Sequence, residues 1–484
     1  MTANSALMLL ALAGAVSGCG GAAASDSDVL PGRSRPLLHH DWTHPRDLRS
    51  GTNRFEPPDP RSALLTTASG LRAYVIPAAD DGVVQITAAL PFGRALEQAN
   101  ETGAADLLSR LLAQQIEQRL GRTFTGRVQT EQEIDLTRVS LQMLADDWRS
   151  GLSAVVAGVR TITLDPAEIE AYRSGPGYVR PTRGLGGAGF RPAVELARLL
   201  GEYPVAPPAP GLSVPRDAVG RVAARSLRPD AVVLGIGGGV SRADAQRELE
   251  SLTAGWHAGA VTMTRTSSGG ASGAASGDRV RTIDEPGFTT WIALGHPTPP
   301  IAAADEAPIA VMTDVLNIRL NIAAREMRGL ANQIVLQAPA TVRHAGLLHV
   351  RTGGRPESVA PLIHYARQEL SRIREDAGLA SSDELEQVKG GLILSKWQAS
   401  LDGARASSAT YAVETVRRGS LDHLMSWPAA VRVVTAQVVR QAAQKYVHPE
   451  AMGIIVIGPL DEIRKARHPR WPLALDDVLL ASRR

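Results

Sequence analysis

The alternation of apolar and polar positions predicts several elements in the first half of the chain. The runs LRAYVI and VVQITAAL, within Gly70–Gly93, flank the turn signal PAADDG and predict a pair of strands. Apolar residues then recur with helical spacing from Gly103 to Gly121, and Ile134–Leu144 alternates as a half-buried strand does. The stretch AVVLGIGGGVSRADAQRELESL predicts a strand, a glycine turn and a helix.

The same kind of pattern restarts after a segment of different composition. Gly, Ser, Ala and Thr dominate between His257 and Asp278, which is typical of a flexible linker. After it, TTWIALGHPTP predicts a strand, APIAVMTDVLNIRLNIAAREMRGL predicts a helix that ends near Gly329, and HAGLLHVRTGG predicts another strand. Two long helices are expected around Val359–Ala377 and Ser382–Ser400.

An internal repeat indicates that the two halves are homologous. The stretch RPDAVVLGIGG, which begins at Arg228, matches the pattern of HPEAMGIIVIG, which begins at His448. Each follows a helix, places a Pro-acid-Ala turn before a buried strand, and is followed by a helix start, at Ser241 and at Asp461. We therefore expect an α+β fold of two homologous lobes, each a mostly antiparallel sheet covered by helices, joined by a flexible linker.

The composition of the chain indicates a globular protein and limits the classes of partner. The chain has 484 residues with 44% apolar and 21% charged residues, which is the globular range. The net charge of +3 gives no argument for a nucleic-acid partner. The expected segments are a signal peptide, a flexible tether, the N-terminal lobe, the linker, the C-terminal lobe and a tail, at residues 1–19, 20–62, 63–256, 257–278, 279–470 and 471–484.

The single cysteine of the chain, Cys19, follows an apolar run. Ala6–Val16 is too short to span a bilayer and has the length of a signal-peptide core. The small residues of VSGC resemble a bacterial lipoprotein processing site, which implies acylation of Cys19 and a lipid-anchored chain that faces the periplasm, with the outer membrane preferred. The alternative is a short hydrophobic N-terminus with an incidental cysteine, and the absence of Lys or Arg before Arg33 favours that alternative.

The helix that begins at GAADLLSRLL carries the residues of most interest. Its leucines form an apolar stripe, while Asp106, Ser109 and Arg110 lie off that stripe. Asn100 or Thr102 is expected to cap the helix. Asp106 and Arg110 are four residues apart with the acid first, so we expect them to form an ion pair.

Two other motifs have ordinary structural explanations. GIGGGVS, at Gly235–Ser241, lacks the third glycine of a dinucleotide-binding loop and the Gly-Lys-Ser/Thr of a phosphate-binding loop, so a strand-to-helix turn that needs positive φ is the favoured interpretation. REMRGL, at Arg325–Leu330, places basic residues near a helix end, where the helix dipole favours cations. These residues are either part of a solvated last turn or functional cations.

The order of several motifs resembles the insulinase/pitrilysin family of zinc metallopeptidases, including the processing-peptidase-like members. The resemblance spans residues 63–465. GAADLLSRLL takes the place of the family's G-x-A-H-x-x-E-H helix, REMRGLANQI is similar to its R-E-x-x-G-L-x-Y motif, and DELEQVKGGLILS resembles its E-L-x-x-x-K helix. The closing VVTAQVVRQAAQKYVHPEAMGIIVIGP resembles its last helix and strand.

This resemblance implies that the inverzincin-type zinc motif is degenerate in this chain. The two histidines of H-x-x-E-H fall on Asp106 and Arg110, and the catalytic Glu falls on Ser109. A serine cannot act as a carboxylate base, and an arginine is a permanent cation that repels a metal. The family's third ligand is a Glu further along, but no Asp or Glu lies between Glu170 and Glu195. No catalytic residue, metal ligand or cofactor is therefore assigned here, although the family uses zinc.

In heterodimeric family members, the non-catalytic subunit supplies the Arg and the Tyr of R-E-x-x-G-L-x-Y to help hold the substrate. Arg325 is retained in this chain, whereas Asn332 stands in the place of the Tyr and DVLNIRLN replaces a Gly-rich stretch. An asparagine can still form hydrogen bonds, but it does not reach as far as a phenol does. Arg325 and Asn332 are the candidate substrate-contact residues.

Three functions follow from the resemblance. The first is a non-catalytic, peptide-binding or structural subunit that acts with an active zinc peptidase of the same family at the cell envelope. The second is a stand-alone scaffold or peptide-binding lipoprotein without a peptidase partner, and the third is a metalloendopeptidase with residual or altered activity around Asp106, Ser109 and Arg110.

Overall fold

The computed structural model describes residues 55–121, 124, 126–167, 169–170, 191–201, 214–257, 279–338 and 344–480. Within these residues the strands form two mixed sheets, one in each half of the chain, and helices cover both. The predicted α+β class with two lobes is confirmed. The predicted signal peptide, most of the tether and linker residues 258–278 lie outside the described residues.

Sheet A belongs to the first half. Its strands are β1 Leu64–Thr66, β2 Arg72–Pro77, β3 Val83–Leu90, β4 Arg127–Gln132, β5 Thr137–Leu144 and β6 Val233–Gly238. Their order across the sheet is β1-β2-β6-β3-β5-β4, and only the β2–β6 pair is parallel. The strand pair predicted around PAADDG is present as β2 and β3, although β6 lies between them.

In the described part of the first half, the helices are α1 Pro60–Ala63, α2 Ala104–Leu120, α3 Trp148–Arg160, α4 Arg191–Leu199, α5 Arg216–Ser226 and α6 Arg242–Thr253. The leucine stripe of α2 is buried in one core with α3, α5 and a face of sheet A. Fully buried leucines of this stripe hold α2 in place through apolar contacts, which are independent of the polar positions of the helix.

Sheet B belongs to the second half. Its strands are β7 Val280–Asp284, β8 Thr290–Thr298, β9 Ile334–Gln337, β10 Gly346–Gly354 and β11 Gly453–Gly458. Their order is β7-β11-β8-β10-β9, and only the β7–β11 pair is parallel. The two copies of the predicted repeat end in β6 and β11, and each of these strands lies between a parallel and an antiparallel neighbour.

The helices of the second half are α7 Glu306–Leu320, α8 Val359–Arg372, α9 Ser382–Gly391, α10 Gly403–Arg418, α11 Asp422–Arg432, α12 Ala436–Tyr446, α13 Leu460–Lys465 and α14 Leu475–Leu480. Helix α7 continues into a π-helical segment at Asn321–Glu326, and α9 continues into one at Leu392–Gln398. None of the helices within the described residues combines the length and the apolar character that crossing a membrane requires.

Each half of the chain contributes a helix to the other half's sheet. Helix α10 packs against β2, β3 and β6 of sheet A, and α4 packs against β8, β10 and β11 of sheet B. The Tyr74 hydroxyl lies 2.9 Å from the Thr415 hydroxyl across the first of these contacts. This exchange of helices couples the two lobes, because neither sheet is fully covered by its own half.

Candidate functional site

The helix that resembles the zinc-binding helix begins differently from the sequence prediction. The N-cap of α2 is Gly103, with φ of 86°, and neither Asn100 nor Thr102 caps the helix. The carboxylate of Glu97 instead accepts hydrogen bonds from the backbone N–H groups of Gly103, at 3.1 Å, and Ala105, at 2.7 Å. Glu97 reaches the helix end from the preceding loop, so six to eight residues separate it from the groups it caps, and local cap rules could not identify it.

Burial is the largest influence on Glu97 and raises its pKa to about 8, against the opposing effect of the two backbone N–H groups. The carboxylate of Asp106 raises this pKa further, and the guanidinium of Arg94 lowers it. Two acids thus meet at the start of α2, Asp106 within its first turn and Glu97 from the preceding loop, and the surroundings of Glu97 favour its protonated form.

Asp106 pairs with Arg94, so the prediction that it would pair with Arg110 named the wrong partner. The Nε atom of Arg94 lies 3.0 Å from each carboxylate oxygen of Asp106, and an Nη atom lies 2.9 Å from one of them. The side chain of Asp106 is only 10% exposed. Arg94 is in the short 3₁₀ turn Arg94–Leu96, which brings the guanidinium over the first turn of α2.

Ser109 and Arg110 do not share one polar face with Asp106. Ser109 is buried, with 6% of its surface exposed, whereas Arg110 is exposed. The three positions that correspond to the family's zinc-binding motif therefore differ in surroundings as well as in chemistry.

These residues do not fit a zinc ion. Asp106 is the single metal-ligating side chain of the three, and a guanidinium already contacts both of its oxygens. Within the described ranges, no group of three or more His, Cys, Asp or Glu side chains is arranged to hold a metal. Residues 171–190, which fall in the acid-free region between Glu170 and Glu195, lie outside those ranges. Glu195, just beyond them, pairs with Arg198 at 2.9 Å and with Arg281 of β7 at 3.5 Å.

A buried acid that the sequence analysis missed anchors the loop before α2. Glu101 has no exposed surface and pairs with Arg225 of α5, with N–O distances of 2.6 and 3.1 Å. Burial raises the pKa of Glu101, but hydrogen bonds from Arg225 and from the Gln98 backbone outweigh burial and leave that pKa below its usual value. The loop that carries Glu97 is thus tied to α5 by a charged pair, and a long-range contact of this kind has no local sequence signal.

The glycines of GIGGGVS are explained by packing and by backbone shape. Gly238 has φ of 121°, as the turn interpretation predicts. At Gly235 and Gly237, a Cβ atom would collide with the backbone carbonyl oxygens of Ser408 and Ala404 in α10. These two glycines therefore allow a helix from the other half of the chain to approach sheet A closely.

The arginines of REMRGL have different surroundings. Arg328 stacks on Tyr365, with its guanidinium carbon 4.1 Å from the ring centroid, and donates a hydrogen bond to the Ala323 carbonyl at 2.7 Å. Arg325 and Asn332 are both exposed, so they remain available for contacts with another molecule. Cys19, the predicted lipidation site, lies outside the described residues.

A cavity of about 520 Å³ lies in the C-terminal lobe among α7, β9, α10, α11 and the π-helical segment Leu392–Gln398. Apolar side chains such as Trp397 and Trp427 line it together with charged groups. The lining carboxylates have cationic partners in the same wall: Arg418 contacts Glu306 at 2.6 Å, and Lys396 contacts Asp314 at 2.8 Å. The cavity can accommodate an apolar group, whereas its charges are already matched.

Residues 213–392 match the family model described as the peptidase M16 inactive domain. No curated protein matches the chain. The match agrees with the resemblance to the M16, or insulinase/pitrilysin-like, metallopeptidases that the sequence motifs indicate.

Solved structures share the fold along most of the chain. The peptidase M16 inactive domain from Pseudomonas fluorescens has a TM-score of 0.64 and 18% identity, over 84% of this chain and 98% of that one. The first half of the periplasmic protease PqqL from Escherichia coli has a TM-score of 0.61 and 14% identity, over 87% of this chain and 96% of that one. Against the whole PqqL chain, the match covers 88% of this chain and 50% of that one, with a TM-score of 0.62 and 14% identity. A chain of complex III2 from Candida albicans has a TM-score of 0.61 and 12% identity, over 87% of this chain and 99% of that one.

Proposed function

We propose that this chain, whose residues 213–392 match the family model of the peptidase M16 inactive domain, is a binding or structural subunit that acts with an active M16 zinc peptidase at the bacterial cell envelope. The ion pair between Arg94 and Asp106 is the observation that carries this proposal. It places a permanent cation against the one side chain of the degenerate motif that could ligate a metal. The buried leucines of α2 meanwhile keep the helix packed in the core of the N-terminal lobe.

The comparisons support a paired arrangement. The PqqL protease chain is about twice the length that this chain matches, and its first half alone has the same fold. This chain corresponds to one such half, so a partner with a second half would complete a unit of the PqqL kind. Peptide or unfolded polypeptide is the substrate class that this unit would handle, with Arg325 and Asn332 as exposed contacts from this subunit.

The experiment that tests the proposal uses the full chain, alone and together with an intact H-x-x-E-H homologue that co-purifies with it from its own cells. Zinc content is measured by mass spectrometry, and cleavage is measured with a library of quenched fluorescent peptides. We expect no stoichiometric zinc and no cleavage from this chain alone, a stable complex with the homologue, and faster cleavage by the complex than by the homologue alone. Stoichiometric zinc in this chain, or cleavage by it alone, would overturn the proposal.

A matched pair of variants tests the role of Arg325 in this complex. Arg325→Ala is compared with Arg355→Ala, because both arginines are exposed and lie in the same lobe. We expect Arg325→Ala to raise KM for peptide cleavage by the complex and Arg355→Ala to leave it unchanged. Equal effects from the two variants would remove Arg325 from the substrate contacts. A complex that does not form at all would favour a stand-alone scaffold.

The proposed location depends on Cys19 and is tested separately. Cells that express the chain are labelled with an alkyne fatty acid, and the inner and outer membranes are then separated. We expect the label on the wild-type chain in the outer-membrane fraction and none on the Cys19→Ser variant. An unlabelled wild-type chain would rule out the lipid anchor without affecting the proposed pairing.

A further inference from the structure

Among the strands that the structure describes, β9 lies at one end of sheet B and pairs with β10 alone. Strand edges of this kind expose backbone N–H and C=O groups that can recruit a further strand from another chain. In an antiparallel pair, alternate residues direct these groups toward the partner strand and away from it. The groups that point away from β10 therefore determine whether this edge can accept another strand.

The side chains of two asparagines form hydrogen bonds with those backbone groups. The side chain of Asn317, on α7, accepts a hydrogen bond from the Leu336 N–H at 2.7 Å and donates one to the Leu336 carbonyl at 3.0 Å. The side chain of Asn321, at the start of the following π-helical segment, accepts from the Ile334 N–H at 3.4 Å and donates to the Ile334 carbonyl at 2.8 Å. Ile334 and Leu336 are two residues apart, so their backbone groups share one side of β9.

The spacing of the two amides matches the spacing of the strand. Residues four apart on an α-helix are separated by about 6 Å along its axis, and residues two apart on a strand are separated by about 6.6 Å. A primary amide carries a carbonyl acceptor and N–H donors, as a peptide group does. The pair Asn317 and Asn321 thus presents to β9 nearly the pattern of donors and acceptors that a neighbouring strand would present.

A second amide proton of Asn321 fixes its orientation. The Asn321 Nδ2 atom also donates to the Asn317 carbonyl oxygen at 2.9 Å, so both of its protons have acceptors. Both asparagines are half-buried, which limits the access of water to these hydrogen bonds. An incoming strand would have to break four hydrogen bonds between the asparagine side chains and β9 before it could form its own backbone hydrogen bonds with β9. The exchange of one set of hydrogen bonds for another gains little free energy.

We propose that Asn317 and Asn321 form an amide clasp that closes the β9 edge of sheet B to strand addition by an extended polypeptide, including a second copy of this chain. The clasp excludes one mode of peptide binding next to the cavity of the C-terminal lobe, since Asn317 and Leu336 also line that cavity. The inference concerns the free chain and holds whether or not a peptidase partner exists.

Hydrogen exchange of the full chain tests the clasp directly. In Asn317→Ala/Asn321→Ala, we expect the amides of Ile334 and Leu336 to exchange at least about tenfold faster, because they lose their acceptors, whereas Val335 and Gln337 keep their protection through β10. Thr313→Ala is the matched control, since Thr313 is one turn earlier on α7 and its hydroxyl donates to the Ile309 carbonyl at 2.7 Å, away from β9. Unchanged exchange at Ile334 and Leu336 in the double variant would overturn the proposal.

Strand addition is tested with a fluorescein-labelled peptide of the β9 sequence, QIVLQA, from Gln333–Ala338. We expect the wild type and Thr313→Ala not to change the anisotropy of the peptide, and the double variant to bind it or to self-associate in sedimentation. Equal binding by the wild type and the double variant would show that the clasp does not close the edge.

A second variant keeps the test decisive if the alanine variant does not fold. Asn317→Asp/Asn321→Asp preserves side-chain size, but its carboxylates repel the strand carbonyls above about pH 5 and can donate again when protonated. We expect peptide binding by this variant above about pH 5 and loss of that binding as the pH falls toward 4. Absence of peptide binding by the folded variant throughout this range would also overturn the proposal.

Discussion

Arg94 and Asp106 form an ion pair across the first turn of α2, with the Nε atom of Arg94 3.0 Å from both carboxylate oxygens. The sequence resemblance aligns Asp106 with the first zinc-binding histidine of the M16 peptidases. The guanidinium of Arg94 therefore neutralises the carboxylate of Asp106 in the first turn of α2.

Breaking this pair is expected to destabilise the N-terminal lobe. Arg94→Gln leaves the largely buried Asp106 without its cation, and we expect the free energy of unfolding in urea to fall by about 1–3 kcal/mol. The variants Arg94→Gln, Asp106→Asn and their combination form a double-mutant cycle, from which we expect a coupling above about 0.5 kcal/mol. Arg127→Gln, at an exposed position on β4, is the control and should stay within about 0.5 kcal/mol of the wild type. A coupling near zero would show that the contact contributes nothing to stability.

Rebuilding the zinc motif should depend on Arg94. In Asp106→His/Ser109→Glu/Arg110→His, the two histidines are one turn apart on α2, but Arg94 still places a positive charge next to the first of them. We expect the further change Arg94→Gln to strengthen zinc binding, measured by competition with a chelating dye, by at least about tenfold. The same affinity with and without Arg94 would mean that the guanidinium moves away and does not oppose a metal.

Most strands and the repeat could be predicted because their signals are local. The alternation in Ile134–Leu144 places β5, the turn at Gly238 needs the positive φ that its sequence indicates, and the two repeat copies end in equivalent strands. These features depend on neighbouring residues and on the burial of one face of each strand. Both are visible in the order of apolar and polar residues along the chain.

The contacts that define the candidate site are long-range, and the sequence alone does not show them. Arg94 and Asp106 are twelve residues apart, so their pairing depends on the path of the intervening loop, whereas the i, i+4 rule pointed to Arg110. Glu97 caps α2 from outside the normal capping positions. The glycines at 235 and 237 did carry a usable signal, since two small residues on one face of a strand indicate close approach by another element.

Acid is expected to destabilise the C-terminal lobe through His296. Burial, as the largest cause, lowers the pKa of this histidine from 6.5 to about 4, and its neighbours His448 and Arg374 act in the same direction, while the Pro297 carbonyl and Glu450 oppose it. The neutral ring fits its site, because one nitrogen lies 2.9 Å from the Pro297 carbonyl and the other accepts from the His448 N–H at 3.0 Å.

The sign follows from the lowered pKa of His296. The unfolded chain takes up the proton near pH 6.5 and the folded chain only near pH 4, so the stabilisation is complete above pH 6.5 and is lost as the pH falls toward 4, by up to about 3 kcal/mol. We expect His296→Gln to flatten the pH dependence of the unfolding free energy in this window, relative to the wild type and to His364→Gln, which alters an exposed histidine. The same slope in both variants would show that His296 does not cause the acid sensitivity.

The last prediction concerns the helix exchanged between the two halves. In Gly235→Ala, the new methyl group would collide with the Ser408 carbonyl and lie 2.9 Å from the Ala409 nitrogen, so α10 would have to move away from sheet A. We expect the unfolding free energy to fall by about 3 kcal/mol or more, because the backbone of α10 cannot move aside as the end of a flexible side chain can. Gly390→Ala is the matched control: no atom lies within 4 Å of its new Cβ, and alanine favours the helix interior, so a gain of about 0.5–1 kcal/mol is expected. Thermal unfolding of both variants distinguishes the two effects, and a wild-type stability for Gly235→Ala would mean that α10 does not need its close contact with β6 to hold the lobes together.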